Sequence, residues 1–423
     1  MRLYSTLERG VVALPDGPVG IYVCGPTVYA RAHIGNARPF IVFSWLARWL
    51  REQGREVTLV HNITDVNDKI YEAAPGASAA RAAEATAWYL EDTAAFGLDA
   101  VDHFPRVTET MDEIVRFIVD LVEQDFAYEV EGDVYFRVAR SEAYGRLSGQ
   151  RPEQMEEQEP SALKEDPRDF ALWKANKPGE DTWWDSPFGR GRPGWHIECS
   201  AMAELLLGPS FAIHGGGLDL VFPHHENELA QSRALGHEYA ALWLHNGMLR
   251  FIGEKMSKSS GHVVSIREAL DTWGRETLLL FFLTAHWRKP IDFSQETLEA
   301  AKAQWTTFLN AFLTPQQGDS GGPAWEELEA VLNDDFNTPE ALALMHEWRK
   351  AGNHALLSRA LKIFGLFAEH GEAPAELHEL ARQRQEARAA RDYAEADRLR
   401  ARIEAAGWEV RDEAGGHRLV RLP

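Results

Sequence analysis

The sequence lacks any apolar run long enough to cross a membrane. Its longest clean hydrophobic stretches, such as residues 278–283, fall far short of the roughly 18 residues that a membrane span needs. The first residues also lack the apolar core of a secretory signal peptide. We therefore expect neither a membrane protein nor a secreted one, and the expected location is the cytoplasm.

Cysteine is almost absent: Cys24 and Cys199 are the two that occur in 423 residues. This number excludes a disulfide scaffold, and a single long-range disulfide is not expected in a chain without secretory features. A metal-binding or reactive-thiol role stays open for both residues.

Positive charge is also scarce, with 44 Lys and Arg against 65 Asp and Glu and a formal net charge of −21. This balance argues against a protein that binds nucleic acid through bulk positive charge. Residues 381–423 are the exception, because they hold ten arginines and eight acidic residues. A nucleic-acid partner would have to be bound by local patches, and this tail is the first candidate.

The sequence has the length and the 45% hydrophobic content of a folded protein of roughly three domains. Residues 19–25 are typical of a strand that ends in turn residues, helical spacing runs from Asn36 to Gly54, and residues 57–60 are typical of a second strand. Strand, helix and strand in this order predict a βαβ unit and a parallel sheet.

Later segments depart from this alternation. Residues 126–195 are irregular and partly acidic, which predicts an insertion. Residues 211–214 predict a strand, residues 215–217 predict a turn, and a helix is expected to begin at Pro223. Residues 314–324 are the best linker candidate, and the mostly helical remainder is expected to end in a small hairpin.

Residues 33–36, His-Ile-Gly-Asn, stand at the predicted strand-to-helix turn. A helix N-terminus offers unpaired N–H groups and partial positive charge, which suit a phosphate. His33 and Asn36 could donate hydrogen bonds to a phosphoryl group that gains charge during a reaction. Taken alone, however, these four residues favour an ordinary turn.

Residues 255–259, Lys-Met-Ser-Lys-Ser, place two lysines around hydroxyl groups. Two such charges can neutralise pyrophosphate as it leaves, on a loop that closes over a nucleotide. A solvated basic loop is the alternative. Because lysine is rare in this acidic chain, the pattern favours a chemical role.

Residues 223–228, Pro-His-His-Glu-Asn-Glu, contain a spacing that suits a metal. His224 and Glu228 lie four positions apart and hence on one face of a helix. With Cys24 and Cys199 they would form a tetrahedral zinc site. Two buried free thiols beside a polar helix start explain the same residues equally well.

These motifs occur together in an order that resembles one family, the cysteinyl-tRNA synthetases of class I. The matching segments are residues 22–29 (YVCGPTVY), 33–36 (HIGN), 62–65 (NITD), 191–200 (GRPGWHIECS), 214–217 (HGGG), 223–228 (PHHENE), 255–259 (KMSKS) and 334–339 (DDFNTP). The resemblance covers nearly the whole chain, including the arginine-rich tail.

The resemblance implies an α/β fold: a Rossmann-type parallel-sheet catalytic domain with a connective insertion, then a helical bundle and a small C-terminal α/β anticodon-binding domain. The implied boundaries are 1–125 and 196–250 for the two halves of the Rossmann domain, 126–195 for the insertion, 251–313 for the lysine-loop and stem-contact region, 325–370 for the bundle and 381–423 for the anticodon-binding domain.

The resemblance also implies one Zn²⁺ per chain, held by Cys24, Cys199, His224 and Glu228, with His225 as a neighbour and not a ligand. In this family the zinc binds the thiolate of the substrate cysteine. A hydrophobic pocket separates cysteine from serine poorly, by roughly 1–3 kcal/mol. Since a serine hydroxyl cannot replace a zinc-bound thiolate at neutral pH, no editing domain is needed.

The remaining site residues follow from the same resemblance. The expected contacts to L-cysteine come from Gly25, Thr64 and Trp195. The phosphoryl charge of ATP, which Mg²⁺ accompanies, would be stabilised by His33, Asn36, Lys255 and Lys258, and the adenosine would be held near Gly217 and Asp219. Anticodon reading is assigned to Arg388, Tyr393, Asp397 and Asp412.

The implied reaction forms cysteinyl-adenylate and then transfers cysteine to the 3′-terminal adenosine of tRNA(Cys), by a monomer. Two departures affect residue roles: Asn36 stands where the family usually has His, and Tyr393 replaces a more usual Trp. An amide-forming cysteine ligase of mycothiol biosynthesis and a non-catalytic RNA-binding paralogue are the alternatives. The tail and the intact motifs favour the synthetase.

Overall fold

The computed structural model describes residues 1–151, 159–252, 264–313, 322–367, 373–413 and 416–422. The chain divides into two compact units. Unit 1 contains Met1–Thr272, His286–Asp292 and Leu332–Asn337, and unit 2 contains Trp273–Ala285, Phe293–Val331 and Thr338–Pro423.

The described strands and helices follow the chain in this order. The strands are β1 (Arg2–Ser5), β2 (Gly10–Ala13), β3 (Val19–Val23), β4 (Val57–His61), β5 (Ala127–Val130), β6 (Asp133–Phe136), β7 (Phe170–Ala175), β8 (Gly191–Pro193), β9 (Ser210–Gly217), β10 (Tyr239–Asn246), β11 (Leu249–Phe251), β12 (Ile291–Phe293), β13 (Trp408–Glu413) and β14 (Gly416–Arg421). The helices are α1 (Ile34–Glu52), α2 (Asp68–Ala73), α3 (Ser78–Ala94), α4 (Met111–Glu123), α5 (Trp195–Leu207), α6 (Glu226–Ala234), α7 (Ile266–Trp273), α8 (Arg275–Leu283), α9 (Gln295–Ala311), α10 (Trp325–Asn333), α11 (Thr338–Ala351), α12 (His354–Ile363), α13 (Ala375–Ala389) and α14 (Tyr393–Ala405). Within the described ranges, none of these helices combines the length and the apolar composition that crossing a membrane requires.

A four-stranded parallel sheet forms the centre of unit 1, in the order β10-β9-β3-β4. Strand β3 is central, and its residues Ile21, Tyr22 and Val23 are fully buried. Helix α1 connects β3 to β4, so the predicted βαβ unit and the predicted α/β fold class are confirmed. The carboxyl ends of parallel strands are where such sheets usually bind ligands.

The irregular segment between β4 and β9 folds as a sheet of its own. Strands β5 to β8 are antiparallel and adjacent in chain order. The last of them leads directly into Gly194 and α5. The Gly194 N–H donates to the Leu172 carbonyl of β7, and a Cβ on Gly194 would overlap the Ala171 carbonyl oxygen. This close approach fixes where α5 begins.

One local prediction is wrong and another is confirmed. Residues 215–217 are not a turn but the end of β9, because they pair in parallel with Leu244, His245 and Asn246 of β10. A Cβ on Gly215 would overlap the ring of Phe43, which packs against this strand. The expected helix start at Pro223 is confirmed, because Phe222 is extended (φ −138°, ψ 133°), as the residue before a helix is, and the non-helical backbone between Val221 and His225 is confined to it. The wider turn of Pro223–His225 leads directly into the regular helix α6, which spans Glu226–Ala234.

The C-terminal part of unit 2 is a helix pair with a hairpin. Helices α13 and α14 are followed by β13 and β14, which pair antiparallel. The buried side chains of Leu399, Ile403 and Trp408 belong to its apolar core. The predicted C-terminal hairpin is therefore confirmed.

Burial of His61 makes stability depend on pH. Its Nε2 atom lies 2.6 Å from the Tyr89 hydroxyl, and burial lowers its pKa from 6.5 to about 3. Between these values the unfolded chain binds a proton that the folded chain does not. The free energy of unfolding therefore decreases as the pH falls through this window.

We expect His61→Gln to reduce the pH dependence of the unfolding free energy by about 1.4 kcal/mol per pH unit in this window. Urea unfolding between about pH 6.5 and pH 5 measures it. His103→Gln, which replaces an exposed imidazole, is the control and should keep the wild-type slope. Equal slopes in both variants and the wild type would contradict the assignment.

Candidate active site

Four side chains that could hold a metal meet beyond the carboxyl end of β3. Cys24 directly follows this strand, and its N–H donates to the Gly215 carbonyl oxygen of β9. Cys199 lies on α5, His224 lies in the turn before α6, and Glu228 lies in the first turn of α6. The parallel sheet and two helices thus bring together residues that are far apart in the chain.

The distances within this group suit a tetrahedral ion. The two Sγ atoms lie 3.8 Å apart, Cys24 Sγ lies 3.5 Å from Glu228 Oε1, and His224 Nε2 lies 3.2 Å from the same oxygen. All four ligand atoms lie within 4.8 Å of one another and all four residues are buried. Zinc bond lengths of about 2.0–2.3 Å place ligand atoms about 3.3–3.8 Å apart in a tetrahedron. These residues therefore fit such an ion.

Burial and neighbouring charges shift the pKa values of the four groups in different directions. Burial raises the pKa of Cys24 well above its usual value. Burial also acts to raise the pKa of Cys199, but the hydrogen bond from Cys24 and the charge and hydrogen bond of His224 together lower that pKa to about 6. Glu228 raises the pKa of His224 against the effect of burial, and His214 and His224 together lower that of Glu228 against its own burial.

Further histidines surround this group, and sequence reasoning did not assign them roles. His214 Nε2 lies 3.3 Å from Glu228 Oε2, and the Nδ1 atoms of His196 and His224 lie 3.0 Å apart. His225 Nδ1 is hydrogen-bonded to His245 Nε2 at 2.7 Å. His214 and His225 belong to the motifs quoted above, whereas nothing in the sequence distinguishes His245.

The residues expected to contact L-cysteine lie around the same strand end. The Gly25 N–H donates to Asn62 Oδ1 at 2.8 Å, and Asn62 Nδ2 donates to the buried Thr64 hydroxyl at 3.3 Å. Asn62 is therefore a connecting residue that the sequence did not single out. The Trp195 ring stacks on His224 with centroids 4.3 Å apart. The structure thus places Trp195 against the candidate metal group, while Asn62 joins Gly25 to Thr64.

Glu198 is a second residue that sequence reasoning missed. It precedes Cys199 on α5, it is buried, and burial raises the pKa of its carboxyl group well above the usual value. A buried carboxyl group beside a thiol is unusual unless it has a chemical or binding role. Its place in the GRPGWHIECS motif is the signal that could have identified it.

His33 and Asn36 begin helix α1. His33 is its exposed N-cap residue, and the Asn36 N–H donates to the His33 carbonyl oxygen. The Ile34 N–H donates to Val264 O at 3.0 Å, and the Ile266 N–H donates to Ala32 O at 2.9 Å.

The chain that follows the lysine motif therefore lies against the segment that carries His33. Lys255 and Lys258 themselves lie outside the described residues.

The two residues expected near adenosine end β9 and follow it. Gly217 is the last residue of the strand, and Asp219 lies exposed in the next short helical turn, Leu218–Leu220. A Cβ on Gly217 would overlap Asp219 Oδ1. The structure thus brings both residues together.

The expected anticodon residues lie in unit 2. Arg388 pairs with Asp412, and Arg384, which was not predicted, shares this carboxylate at 2.7 Å. Hydrogen bonding from Arg384 lowers the pKa of Asp412. Tyr393 is 63% exposed at the start of α14, and Asp397 is exposed on the same helix. Arg388 and Asp412 are brought together, whereas no described contact joins them to Tyr393 or Asp397.

Family models cover most of the chain. The class I (C) tRNA synthetase catalytic domain matches residues 11–303, the DALR domain matches 327–368, and the cysteinyl-tRNA ligase anticodon binding domain matches 370–419. A cysteine–tRNA ligase of Streptococcus pneumoniae serotype 4 is 40% identical over 446 residues, with 100% of both chains covered.

The chain belongs to the cysteinyl-tRNA synthetase family.

Other family members are similar over the same extent. The cysteine–tRNA ligase of an Exiguobacterium species is 41% identical over 468 residues, and that of Streptococcus equi subsp. zooepidemicus is 41% identical over 446. Both matches cover 100% of this chain, with 100% and 99% of the relatives. The match to the anticodon binding domain favours the synthetase over the amide-forming ligase.

Solved structures agree on the class I synthetase fold. A Mycobacterium tuberculosis methionyl-tRNA synthetase in complex with methionyl-adenylate has a TM-score of 0.58 at 14% identity, covering 82% of this chain and 90% of that one. An arginyl-tRNA synthetase from Campylobacter jejuni has a TM-score of 0.59 at 13% identity, covering 85% and 95%. At these identities the likeness concerns the fold alone.

The approach of β3 to the loop after β4 explains why position 25 is glycine. A Cβ on Gly25 would overlap the carbonyl oxygen of Asn62, which is backbone and cannot rotate away. We expect Gly25→Ala to lower the free energy of unfolding by about 1–3 kcal/mol or more, measured by urea unfolding.

Gly10→Ala is the matched control, because its Cβ would meet the Glu8 carbonyl oxygen at 3.7 Å, an ordinary contact. Equal losses of stability in the two variants would show that the contact with Asn62 is not the constraint.

Proposed function

We propose that this chain is a cysteine–tRNA ligase that activates L-cysteine with ATP and transfers it to tRNA(Cys). The observation that carries the proposal is the buried group of two cysteines, a histidine and a glutamate at the carboxyl end of a class I catalytic sheet. The presence of an anticodon-binding domain in the same chain adds the RNA substrate. In the first step the cysteine carboxylate attacks the α-phosphate of ATP, forming cysteinyl-adenylate and releasing pyrophosphate.

We propose that Cys24, Cys199, His224 and Glu228 hold one Zn²⁺. When bound, this ion supplies a soft Lewis acid that favours a thiolate ligand over a hydroxyl group. The four residues are buried, so water is largely kept away from the site. Glu228 receives a hydrogen bond from Tyr239 at 2.9 Å, which fixes the orientation of its carboxylate.

The substrate cysteine is positioned by Gly25, Thr64 and Trp195. Thr64 supplies a buried hydroxyl group near the backbone of Gly25, and both are connected through Asn62. Trp195 is held by stacking on His224, which places an aromatic wall beside the side-chain end of the substrate. In this arrangement Thr64 holds the amino end.

The phosphates of ATP, with Mg²⁺, are bound at the N-terminus of α1. This 19-residue helix has no acidic residue in its first turn, so the partial positive charge of its N-terminus remains suited to an anion. His33 and Asn36 donate hydrogen bonds to the phosphoryl group as its charge grows. Lys255 and Lys258 neutralise the pyrophosphate as it leaves, and Gly217 and Asp219 hold the adenosine.

In the second step a ribose hydroxyl of the 3′-terminal adenosine attacks the cysteinyl carbonyl, and AMP leaves. The anticodon is read by residues 381–423 through stacking on Tyr393, hydrogen bonds donated by Arg388 and hydrogen bonds accepted by Asp397 and Asp412. Arg384 positions Asp412 by pairing with it. We further propose that the enzyme works as a monomer in the cytoplasm.

ATP-dependent charging of total tRNA with labelled cysteine tests this function. We expect charging with cysteine, none above background with labelled serine, and one zinc per chain by metal analysis. If the protein charges tRNA with cysteine but contains no zinc, the metal assignment is wrong and the proposed ligase activity is still supported. If cysteine drives adenylate formation but no charging of tRNA, the amide-forming ligase becomes the better assignment, and if it drives neither, the RNA-binding paralogue does.

The exposed ring of Tyr393 is expected to stack on an unpaired base of the anticodon. We expect Tyr393→Ala to raise the KM for tRNA by about 5- to 150-fold, which corresponds to a stacking contribution of about 1–3 kcal/mol per base. ATP–pyrophosphate exchange should not change, since no tRNA takes part. Tyr393→Phe keeps the ring and is the matched control, so an equal loss in both variants would argue against stacking.

A further inference from the structure

A second set of four buried ligands overlaps the first. Cys24 and Glu228 belong to both sets, and His214 and His225 complete the second one, again with all ligand atoms within 4.8 Å of one another. His214 Nε2 lies 3.5 Å from Cys24 Sγ and 3.3 Å from Glu228 Oε2, and His225 Nε2 lies 4.0 Å from Glu228 Oε1. The two shorter distances equal those that zinc ligands have in a tetrahedron.

His225 is held as metal-binding histidines usually are. Its Nδ1 is hydrogen-bonded to His245 Nε2, whose own Nδ1 is hydrogen-bonded to the Thr6 hydroxyl at 2.7 Å. Its Nε2 is buried and has no hydrogen-bond partner among the residues that the structure describes. A histidine fixed through one ring nitrogen by a neighbouring group presents the other nitrogen to a metal. The orphaned Nε2 therefore points to a ligand.

The chain is shaped to admit this imidazole. A Cβ on Gly216 would lie 2.9 Å from His225 Cε1, so any other residue at position 216 would collide with the ring. His214, His225 and Glu228 are all fully buried, without exposed surface. A buried, unpaired polar atom costs free energy, and an ion bound between these groups would remove that cost.

We propose that Cys24, His214, His225 and Glu228 form an alternative position for the same divalent ion, which Zn²⁺ or Co²⁺ can occupy when Cys199 and His224 do not ligate. This inference rests on the proposed zinc site only for the two shared ligands. Because those are shared, one ion is bound at a time. The second ligand set contains one thiolate, whereas the first contains two. A soft ion therefore prefers the first position.

The test uses full-length protein, freed of metal and titrated with Co²⁺, whose absorption reports coordination number and thiolate ligands. The variant Cys199→Ala/His224→Ala removes both ligands that belong to the first set alone. We expect it to bind one equivalent in a four-coordinate spectrum, with thiolate charge-transfer absorption about half that of the wild type. Adding His225→Ala should weaken binding by at least about 100-fold, more than the loss of an outer-shell contact.

Cys24→Ala/His224→Ala is the matched control, because it also removes one cysteine and His224 but interrupts both sets, and it should bind at least about 100-fold more weakly. If Cys199→Ala/His224→Ala binds no more tightly than this control, the alternative position is overturned. Circular dichroism verifies that both variants fold. Should either fail to fold, the near-isosteric Cys199→Ser/His224→Asn and Cys24→Ser/His224→Asn are compared in the same way.

The wild type separates this inference from the proposed zinc site. A wild type that binds one equivalent beside a double variant that binds none overturns the alternative position alone. A wild type without bound metal overturns the zinc site of the proposed function. Two equivalents in the wild type would overturn the claim that a single ion uses the two positions in turn.

Discussion

Glu228 and its partners are the constraint around which the catalytic unit is organised. A carboxylate without any exposed surface is costly to bury unless other groups pair with it. Here His224 and His214 each approach one of its two oxygens, Tyr239 donates a hydrogen bond, and the Cys24 thiol lies 3.5 Å away. These partners come from β9, β10, the residue after β3 and the turn before α6, so satisfying one carboxylate fixes the relative position of four parts of the chain.

The glycines near this group serve the same geometry. The ring of Phe43 packs against Gly215, and the ring of His225 packs against Gly216. The backbone of Asn62 packs against Gly25. At each position a neighbouring group occupies the space that a side chain would need. The dense packing explains how two thiols, several imidazoles and a carboxylate share a small buried volume.

The candidate metal group and the match to the anticodon binding domain fall in different units of the chain. The metal group, the start of α1 and the flank of the lysine motif all belong to unit 1, whereas the arginine-rich helices and the hairpin belong to unit 2. The charge distribution agrees with this division, because the acidic majority of the chain precedes the tail where arginines exceed acidic residues. A strongly negative net charge is thus combined with local positive charge in the segment that matches the anticodon binding domain.

The sequence by itself determined the parallel-sheet class, because the β3-α1-β4 alternation follows from local hydrophobic periodicity. Through its resemblance it also named Cys24, Cys199, His224 and Glu228, which the structure brings together although the two cysteines are 175 positions apart. Local pattern predicted the helix start at Pro223 but misjudged residues 215–217, where glycines signal a turn unless tertiary packing overrides them. Only the tertiary structure decided that His214, His225, His245 and Asn62 join the site, because a residue's contacts across strands do not depend on its neighbours in the chain.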